Sequence, residues 1–193
     1  MTLADVLRPA IAQRRVGLLY NAALVLGGSA LVAVLAQVVI PLPFSPVPVT
    51  GQTLAVLFVG ALLGSARGSL AVLLYLAEGA VGLPVFAGGG AGLMRLAGPT
   101  GGYLVGFCAA AFVVGFLAER GWDRVVWRAS VALLVGNALI YSAGLPWLSR
   151  FVGAQKVLSL GLYPFVVGDL IKLVVAVLAL PAGWRLLRRF GKT

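Results

Sequence analysis

Residues 16–40 read VGLLYNAALVLGGSALVAVLAQVVI, a stretch without a single charged side chain. A helix that crosses the hydrocarbon core of a bilayer needs about 20 consecutive apolar residues. The apolar core of a signal peptide is shorter, at roughly 7–15 residues, and a small-residue cleavage site with a polar mature region follows it. Neither feature follows this stretch. We therefore predict an uncleaved membrane-spanning helix.

The composition of the whole chain points the same way. Its 193 residues are 61% hydrophobic and 10% charged, whereas soluble domains are about 45–50% apolar and about 25% charged. The length fits one domain, over residues 1–193. We predict an all-α integral membrane protein with a single transmembrane domain.

Six apolar segments are candidate spans in a compact bundle. They are 17–40, 52–66, 69–83, 101–118, 129–148 and 165–184. The second and third are short for a bilayer, so we expect them to tilt or to have their ends buried in protein. Residues 64–68, GSARG, predict the tight turn between them.

The positive charges predict the orientation. Fifteen Lys and Arg residues against five Asp and Glu residues give a net charge of +10. One side of the predicted spans carries Arg8, Arg14, Arg15, Arg67, Arg120, Arg124, Arg128, Arg185, Arg188, Arg189 and Lys192. The other side carries Arg95, Arg150 and Lys156. The positive-inside rule makes the richer side cytoplasmic, and both termini with it. The charge then reflects topology, and we expect no nucleic-acid partner.

Several chemistries are excluded by the residues that are missing. The chain has no His, and Cys108 is its only cysteine, so His-based catalysis, a disulfide within the chain and a cysteine metal cluster are excluded. Five carboxylates are too few for most hydrolytic metal sites. The terminal Gly191-Lys192-Thr193 lacks the upstream glycine of a P-loop, because position 186 is Leu. We expect no enzyme, no cofactor and no metal, with any transport energy coming from a partner or an ion gradient.

The two long outer loops have an unusual composition. Residues 41–51, PLPFSPVPVTG, carry no charge, and their prolines exclude a helix. Residues 84–100 are rich in glycine. We interpret both loops as apolar lids over a site at the outer face, with purely structural re-entrant loops as the alternative.

Asp169 and Lys172 are the strongest candidates for a functional site. A charge at the centre of a spanning helix costs roughly 2.5–3.5 kcal/mol on insertion scales, so buried charges need partners or a function. Their spacing of three places both on one helix face. If the helix begins near Pro164, both lie one to two turns below the outer surface. A self-neutralising structural pair is the alternative.

Other polar residues near the outer span ends are weaker candidates. Arg95 offers a bidentate grip for a carboxylate, and Glu78 is predicted to face the same pocket. The alternative for these two is a surface ion pair with each other. Gln52, directly after the proline-rich loop, is a candidate for hydrogen bonding to a polar ligand.

Two amides and several aromatic residues allow two interpretations. Asn137 and Gln37 could contact a ligand, but amides that join helices are at least as common. An interfacial belt explains most of the outer aromatic residues, which are Tyr103, Tyr141, Trp147, Tyr163 and Phe165. Tyr103 is our candidate for a ligand contact.

The first span carries small residues at helical spacing. Ala23-xxx-Gly27 and Ser29-xxx-Ala33 would let another helix approach closely. We interpret Ser29 and Ala33 as a docking face for a membrane partner. Packing within the bundle is an equal alternative.

Four segments together resemble one family. They are Pro48-Val49-Thr50-Gly51-Gln52-Thr53-Leu54, Gly82-Leu83-Pro84-Val85-Phe86-Ala87-Gly88-Gly89, Gly98-Pro99-Thr100-Gly101-Gly102-Tyr103-Leu104-Val105-Gly106-Phe107 and Pro164-Phe165-Val166-Val167-Gly168-Asp169-Leu170-Ile171-Lys172. In this order they resemble the biotin-specific substrate-binding (S) subunits of energy-coupling-factor transporters, the BioY family.

The resemblance implies a six-helix bundle in the bacterial plasma membrane that captures biotin from outside. It implies an energy-coupling transmembrane subunit and two ATPase subunits as partners. It also implies that Asp169 and Lys172 contact the ligand. A further ligand-contacting arginine is expected after the start of the glycine-rich loop, and Arg95 is the only candidate for it in the sequence.

Alternatives to biotin capture stay open. The same fold could bind another vitamin, such as riboflavin or thiamin, although Lys172 and Arg95 disfavour a cationic ligand. A membrane enzyme that acts on lipid is disfavoured by the lack of His and of clustered carboxylates. A small structural protein, in which the Asp169–Lys172 pair serves only packing, is the remaining alternative.

Overall fold

A computed structural model describes residues 2–7 and 14–189 of the chain, and most of them are helical. The helices are α1 (Leu3–Val6), α2 (Arg14–Ala36), α3 (Gln52–Leu63), α4 (Ser65–Ala80), α5 (Leu93–Ala97), α6 (Gly101–Glu119), α7 (Val126–Val152), α8 (Val157–Gly161) and α9 (Tyr163–Arg189). Two short strands, β1 (Val39–Ile40) and β2 (Val49–Thr50), pair in antiparallel register. Single 3₁₀ turns cover Ala87–Gly89 and Trp122–Arg124.

Four of these helical stretches are long and apolar enough to cross a membrane. They are Val16–Ala36, Gly101–Glu119, Val126–Val152 and Val157–Arg189. Helix α3 has 12 residues and α4 has 16, so at 1.5 Å per residue both are shorter than the roughly 30 Å of hydrocarbon. Most of α3 is buried, including both of its end residues, Gln52 and Leu63. This agrees with the expectation that a short segment has its ends buried in protein.

The predicted first span was too long at its outer end. Helix α2 ends at Ala36, and Val39 and Ile40 pair with Thr50 and Val49 instead. A proline disfavours helix in the residue that precedes it, and Pro41 follows Ile40. The proline-rich loop is therefore held at its base by a two-stranded hairpin.

The predicted turn over 64–68 was also too long. The chain turns at Gly64 alone, where φ is +88°, and α4 already begins at Ser65. The Glu119 carboxylate accepts hydrogen bonds from the Ser65 backbone N–H at 2.7 Å and from its hydroxyl at 2.9 Å. A side chain from α6 thus caps α4. Gly68 lies inside α4, where a Cβ would come within 2.9 Å of Gly60.

Helix α6 occupies the middle of the bundle. It packs against α3, α4 and α7, and α9 packs against α7 and α3. Gly106 lets α6 approach α7 closely, since a Cβ there would lie 3.0 Å from the Cα of Ile140. The core between these helices is built mainly from alanine, valine and leucine.

Two carboxylates at the end of the bundle opposite the proline-rich loop are held by neighbouring side chains. Asp5 of α1 pairs with Arg67 of α4. Burial alone would raise the pKa of Asp5, but the Thr2 backbone and Arg67 lower it below 3.8. Asp123 accepts a hydrogen bond from the Trp184 indole at 2.5 Å, and burial raises its pKa. Of the residues assigned to the cytoplasmic side, Arg8 and Lys192 lie outside the described residues.

Candidate functional site

A cleft at the proline-rich end of the bundle brings together most of the candidate residues. It has about 770 Å³ of empty space, counting the part that is open to solvent. Its walls come from both outer loops and from α3, α5, α6, α7 and α9. The lining residues are Pro46, Val47, Pro48, Thr50, Gln52, Thr53, Phe86, Ala87, Arg95, Thr100, Tyr103, Leu104, Phe107, Ile140, Tyr141, Phe165, Asp169 and Lys172.

A four-residue polar network forms the floor of this cleft. The Lys172 ammonium lies 3.0 Å from Asp169 Oδ1 and donates to Thr53 Oγ1 at 2.9 Å. Thr53 in turn donates to Asp169 Oδ1 at 3.3 Å, and the Tyr141 hydroxyl donates to Asp169 Oδ2. The side chains of Lys172 and Asp169 are only 18% and 10% exposed. The two charges therefore offset much of each other's burial cost and keep fixed positions.

Helical spacing explains why the pair forms. Asp169 and Lys172 are three residues apart on α9, so both project from the same face. Pro164 lies in the first turn of α9, where its missing N–H costs no hydrogen bond. Asp169 follows the first residue of α9 by six positions, which places it about 9 Å along the axis.

A second buried network holds one wall of the cleft. The Gln52 amide donates to the Tyr75 hydroxyl at 2.5 Å and accepts from Thr50 Oγ1 at 2.9 Å. Tyr75 is fully buried, and its ring meets the Phe86 ring edge-on, with centroids 5.5 Å apart. Gln52 thus lies in the cleft wall and, through Tyr75, also connects α3 to α4 and to the glycine-rich loop.

Arg95 and Tyr103 approach the cleft from the loop and from α6. Arg95, on α5, is exposed, and its guanidinium covers Gly90, whose Cβ would lie 2.7 Å from Nε. Within the described part of the chain, no carboxylate pairs with Arg95. The Tyr103 hydroxyl donates to the Gly161 carbonyl at 2.9 Å, so its ring is fixed edge-on to Tyr141.

Two predicted ligand residues lie away from the cleft lining. Glu78 accepts a hydrogen bond from the Ser29 hydroxyl at 2.6 Å, between α2 and α4. It neither faces the cleft nor pairs with Arg95, because the α4 face that carries it packs on α2. Asn137 lines an adjoining apolar groove between α7 and α9, which shares Tyr141 and Asp169 with the cleft. Its Oδ1 is buried without a hydrogen-bond partner among the described residues.

The small residues of α2 divide between two faces. Ser29 is 0% exposed and Ala33 is half-buried against the core. Packing within the bundle, the alternative given above, therefore describes Ser29 in this structure. Ala23 and Gly27 lie on the exposed face of α2.

Sequence reasoning missed three of the polar and aromatic groups at this site. Thr53 bridges the charged pair, although it lies beside Gln52 in the segment that carried the family resemblance. The interfacial belt was predicted for most of the outer aromatic residues, without naming Tyr141 or Phe165 as ligand contacts; both line the cleft, whereas Tyr163 is 61% exposed. Composition cannot distinguish a tyrosine that faces lipid from one that faces a cavity.

The sequence is similar to those of known membrane transporters. A model of the BioY family matches residues 9–189. The probable biotin transporter BioY of Pyrococcus horikoshii is 41% identical over 149 residues, which cover 77% of this chain and 86% of that protein. The biotin transporter BioY of Thermotoga maritima is 45% identical over 140 residues, covering 72% of this chain and 82% of that protein.

A solved structure has the same fold. The crystal structure of the S-component for biotin from an ECF-type ABC transporter superposes with a TM-score of 0.76. The alignment covers 94% of this chain and 96% of that chain, at 26% sequence identity. The likeness therefore extends over the whole bundle and is not confined to the quoted motifs.

Proposed function

The chain belongs to the BioY family, and we propose that it captures biotin with high affinity as the membrane-embedded substrate-binding component of an ATP-driven transporter. The observation that carries the proposal is the Asp169–Lys172–Thr53–Tyr141 network on the floor of an otherwise apolar cleft. Biotin has a ureido group, an apolar sulfur ring and a carboxylate tail, and the cleft offers a chemical match for each part.

The floor of the cleft is complementary to a urea. Lys172 uses two of its three N–H donors on Asp169 and Thr53, which leaves one for a ureido carbonyl. Among the described residues, Asp169 Oδ2 accepts a hydrogen bond only from the Tyr141 hydroxyl, so it keeps a lone pair for a ureido N–H. The neighbouring aromatic rings of Phe107, Tyr103 and Phe165 suit the apolar ring of the ligand.

Arg95 is then the group that would hold the carboxylate. Lys172 is already neutralised by Asp169 at 3.0 Å, whereas no described carboxylate pairs with Arg95. A guanidinium matches a carboxylate bidentately, and an exposed position suits the more hydrated end of the ligand. We therefore place the ureido group on the floor and the carboxylate at the mouth.

Calorimetric titration of the detergent-purified chain tests this function directly. We expect saturable binding of biotin without nucleotide, and no binding of riboflavin or thiamin, because a flavin ring or a cationic thiazolium lacks a complement to Lys172 and Arg95. Binding of riboflavin or thiamin instead would favour the alternative vitamin. Monodisperse protein that binds none of the three would refute vitamin capture.

We further propose that the chain crosses the membrane six times with both termini in the cytoplasm, and that α2 docks on an energy-coupling transmembrane subunit that carries two ATPases. The excess of basic residues on one side supports the orientation. An exposed stretch of α2 supports the docking face: no atom lies within 4 Å of the position that a Gly27 Cβ would take. Small residues permit the close helix contacts that hold membrane helices together.

Gly27→Leu is expected to lower biotin uptake by at least tenfold and to leave biotin binding unchanged. The new side chain would project into space that a partner helix needs, but it would meet nothing within this chain. The measurement is radiolabelled biotin uptake in cells that also express the coupling subunit and the ATPases. Ala138→Leu, at an exposed position of α7, is the matched control, and equal uptake by both variants would contradict the docking face.

A further inference from the structure

Gln37 connects the end of α2 to the glycine-rich loop. Its amide nitrogen donates to the carbonyl of Ala33 at 3.0 Å, and it also contacts the carbonyls of Val85 and Phe86 at 3.3 and 3.4 Å. Its amide oxygen accepts the Gly89 backbone N–H at 2.9 Å. One side chain thus bonds to both ends of a five-residue loop segment, Val85–Gly89.

This segment forms part of the cleft wall. Phe86 and Ala87 line the cleft, and Gly88 and Gly89 have φ of +66° and +73°. Glycine adopts such angles at little cost, so the segment can change its backbone conformation more easily than an ordinary loop. Gln37 itself does not line the cleft, so it can act on a ligand only through this segment.

We propose that Gln37 is a positioning residue: it latches Val85–Gly89 over the cleft and so controls how fast ligand enters and leaves. The inference rests on the proposed capture of biotin. Opening the segment breaks the bonds to Val85, Phe86 and Gly89. Because the latch holds the closed wall in the free and in the loaded protein alike, it slows entry and exit by the same factor and leaves the affinity unchanged.

Gln37→Met tests the latch, since methionine has nearly the same length and makes none of these hydrogen bonds. We expect the association and dissociation rate constants of tritiated biotin to rise together by about tenfold, with Kd within a factor of two. Gln37→Glu keeps an acceptor for the Gly89 N–H but sets a carboxylate against two carbonyls, so we expect it to behave like the Met variant. Val38→Ala, at the adjacent exposed position, is the control and should leave both rates unchanged.

A second readout needs no ligand. The Gly89 N–H donates to Gln37 and to the Phe86 carbonyl, and the Phe86 N–H donates to the Gly90 carbonyl. In the free protein, hydrogen exchange of both amides should accelerate in both Gln37 variants, because the latch no longer holds the segment closed. Unchanged exchange overturns the latch whether or not the chain binds biotin. Faster exchange with unchanged association and dissociation rate constants for biotin also overturns the latch, because Gln37 would then support only the loop. A raised Kd with an unchanged association rate constant overturns it too, because Gln37 would then support only the cleft wall. If exchange is faster in the Gln37 variants than in the wild type, but the wild-type protein binds no biotin, the proposed function is refuted instead.

Discussion

Asp169→Asn is expected to weaken biotin binding about a hundredfold. Asparagine keeps the size of the side chain but removes the negative charge that Lys172 faces at 3.0 Å. It also places an amide where Thr53 and Tyr141 now donate. Hydrogen bonds to charged groups contribute about 1.5–3 kcal/mol, and 1.4 kcal/mol corresponds to a tenfold change in Kd. The measurement is calorimetric titration with biotin.

Asp123→Asn is the matched control for this substitution. Asp123 is also a buried aspartate with an aromatic donor, since the Trp184 indole bonds to it at 2.5 Å, but it lies at the other end of the bundle. We expect its biotin affinity to equal that of the wild type. Wild-type affinity in a monodisperse Asp169→Asn protein would remove Asp169 from the site.

The charged pair should behave as one unit. Lys172→Met leaves Asp169 buried without its cation, so we expect a loss similar to that of Asp169→Asn. The double variant should lose little more biotin affinity than either single variant, because each substitution alone already destroys the arrangement that binds the ureido group. Additive losses would show that the two residues contact the ligand independently.

Arg95→Gln is expected to weaken biotin binding by about ten- to hundredfold, through loss of one charge-assisted bidentate contact. The loss should disappear for biotin amide, which has no carboxylate. Wild-type protein should therefore bind the amide about as weakly as Arg95→Gln binds biotin. Titrations of both proteins with both ligands complete a thermodynamic cycle.

Arg150→Gln controls for the general loss of positive charge at the outer end. Arg150 lies over the Trp147 ring, at 5.0 Å from its centroid, and does not line the cleft. We expect its affinity for biotin to stay within a factor of two of the wild type. If Arg95→Gln weakened biotin and its amide equally, the carboxylate would lie elsewhere, and the ligand orientation proposed here would be wrong.

Local patterns in the sequence were sufficient for part of this architecture. Apolar stretches predicted helices at 101–118, 129–148 and 165–184, and helices α6, α7 and α9 contain these ranges. The spacing of Asp169 and Lys172 predicted a shared helix face, and the two form an ion pair. These predictions succeed because hydrophobic length and helical periodicity act over a few neighbouring residues.

Contacts between distant residues could not be predicted in the same way. Glu119 caps α4 from α6, so the helix begins at Ser65 and not at 69. Glu78 accepts a hydrogen bond from Ser29 on α2, although its position near the outer end of α4 had predicted that it faces the ligand pocket. No periodicity encodes such pairings, because each depends on which helix lies opposite.

By itself, the sequence determined the membrane class, the helical stretches and the placement of two opposite charges on one face of the last helix. Only the tertiary structure decided that Thr53 and Tyr141 complete that pair and that Gln37 bonds to a loop 48 or more residues away. The reason is physical: apolar burial and backbone hydrogen bonding are specified residue by residue, whereas a binding site consists of side chains that become neighbours only when separate helices pack.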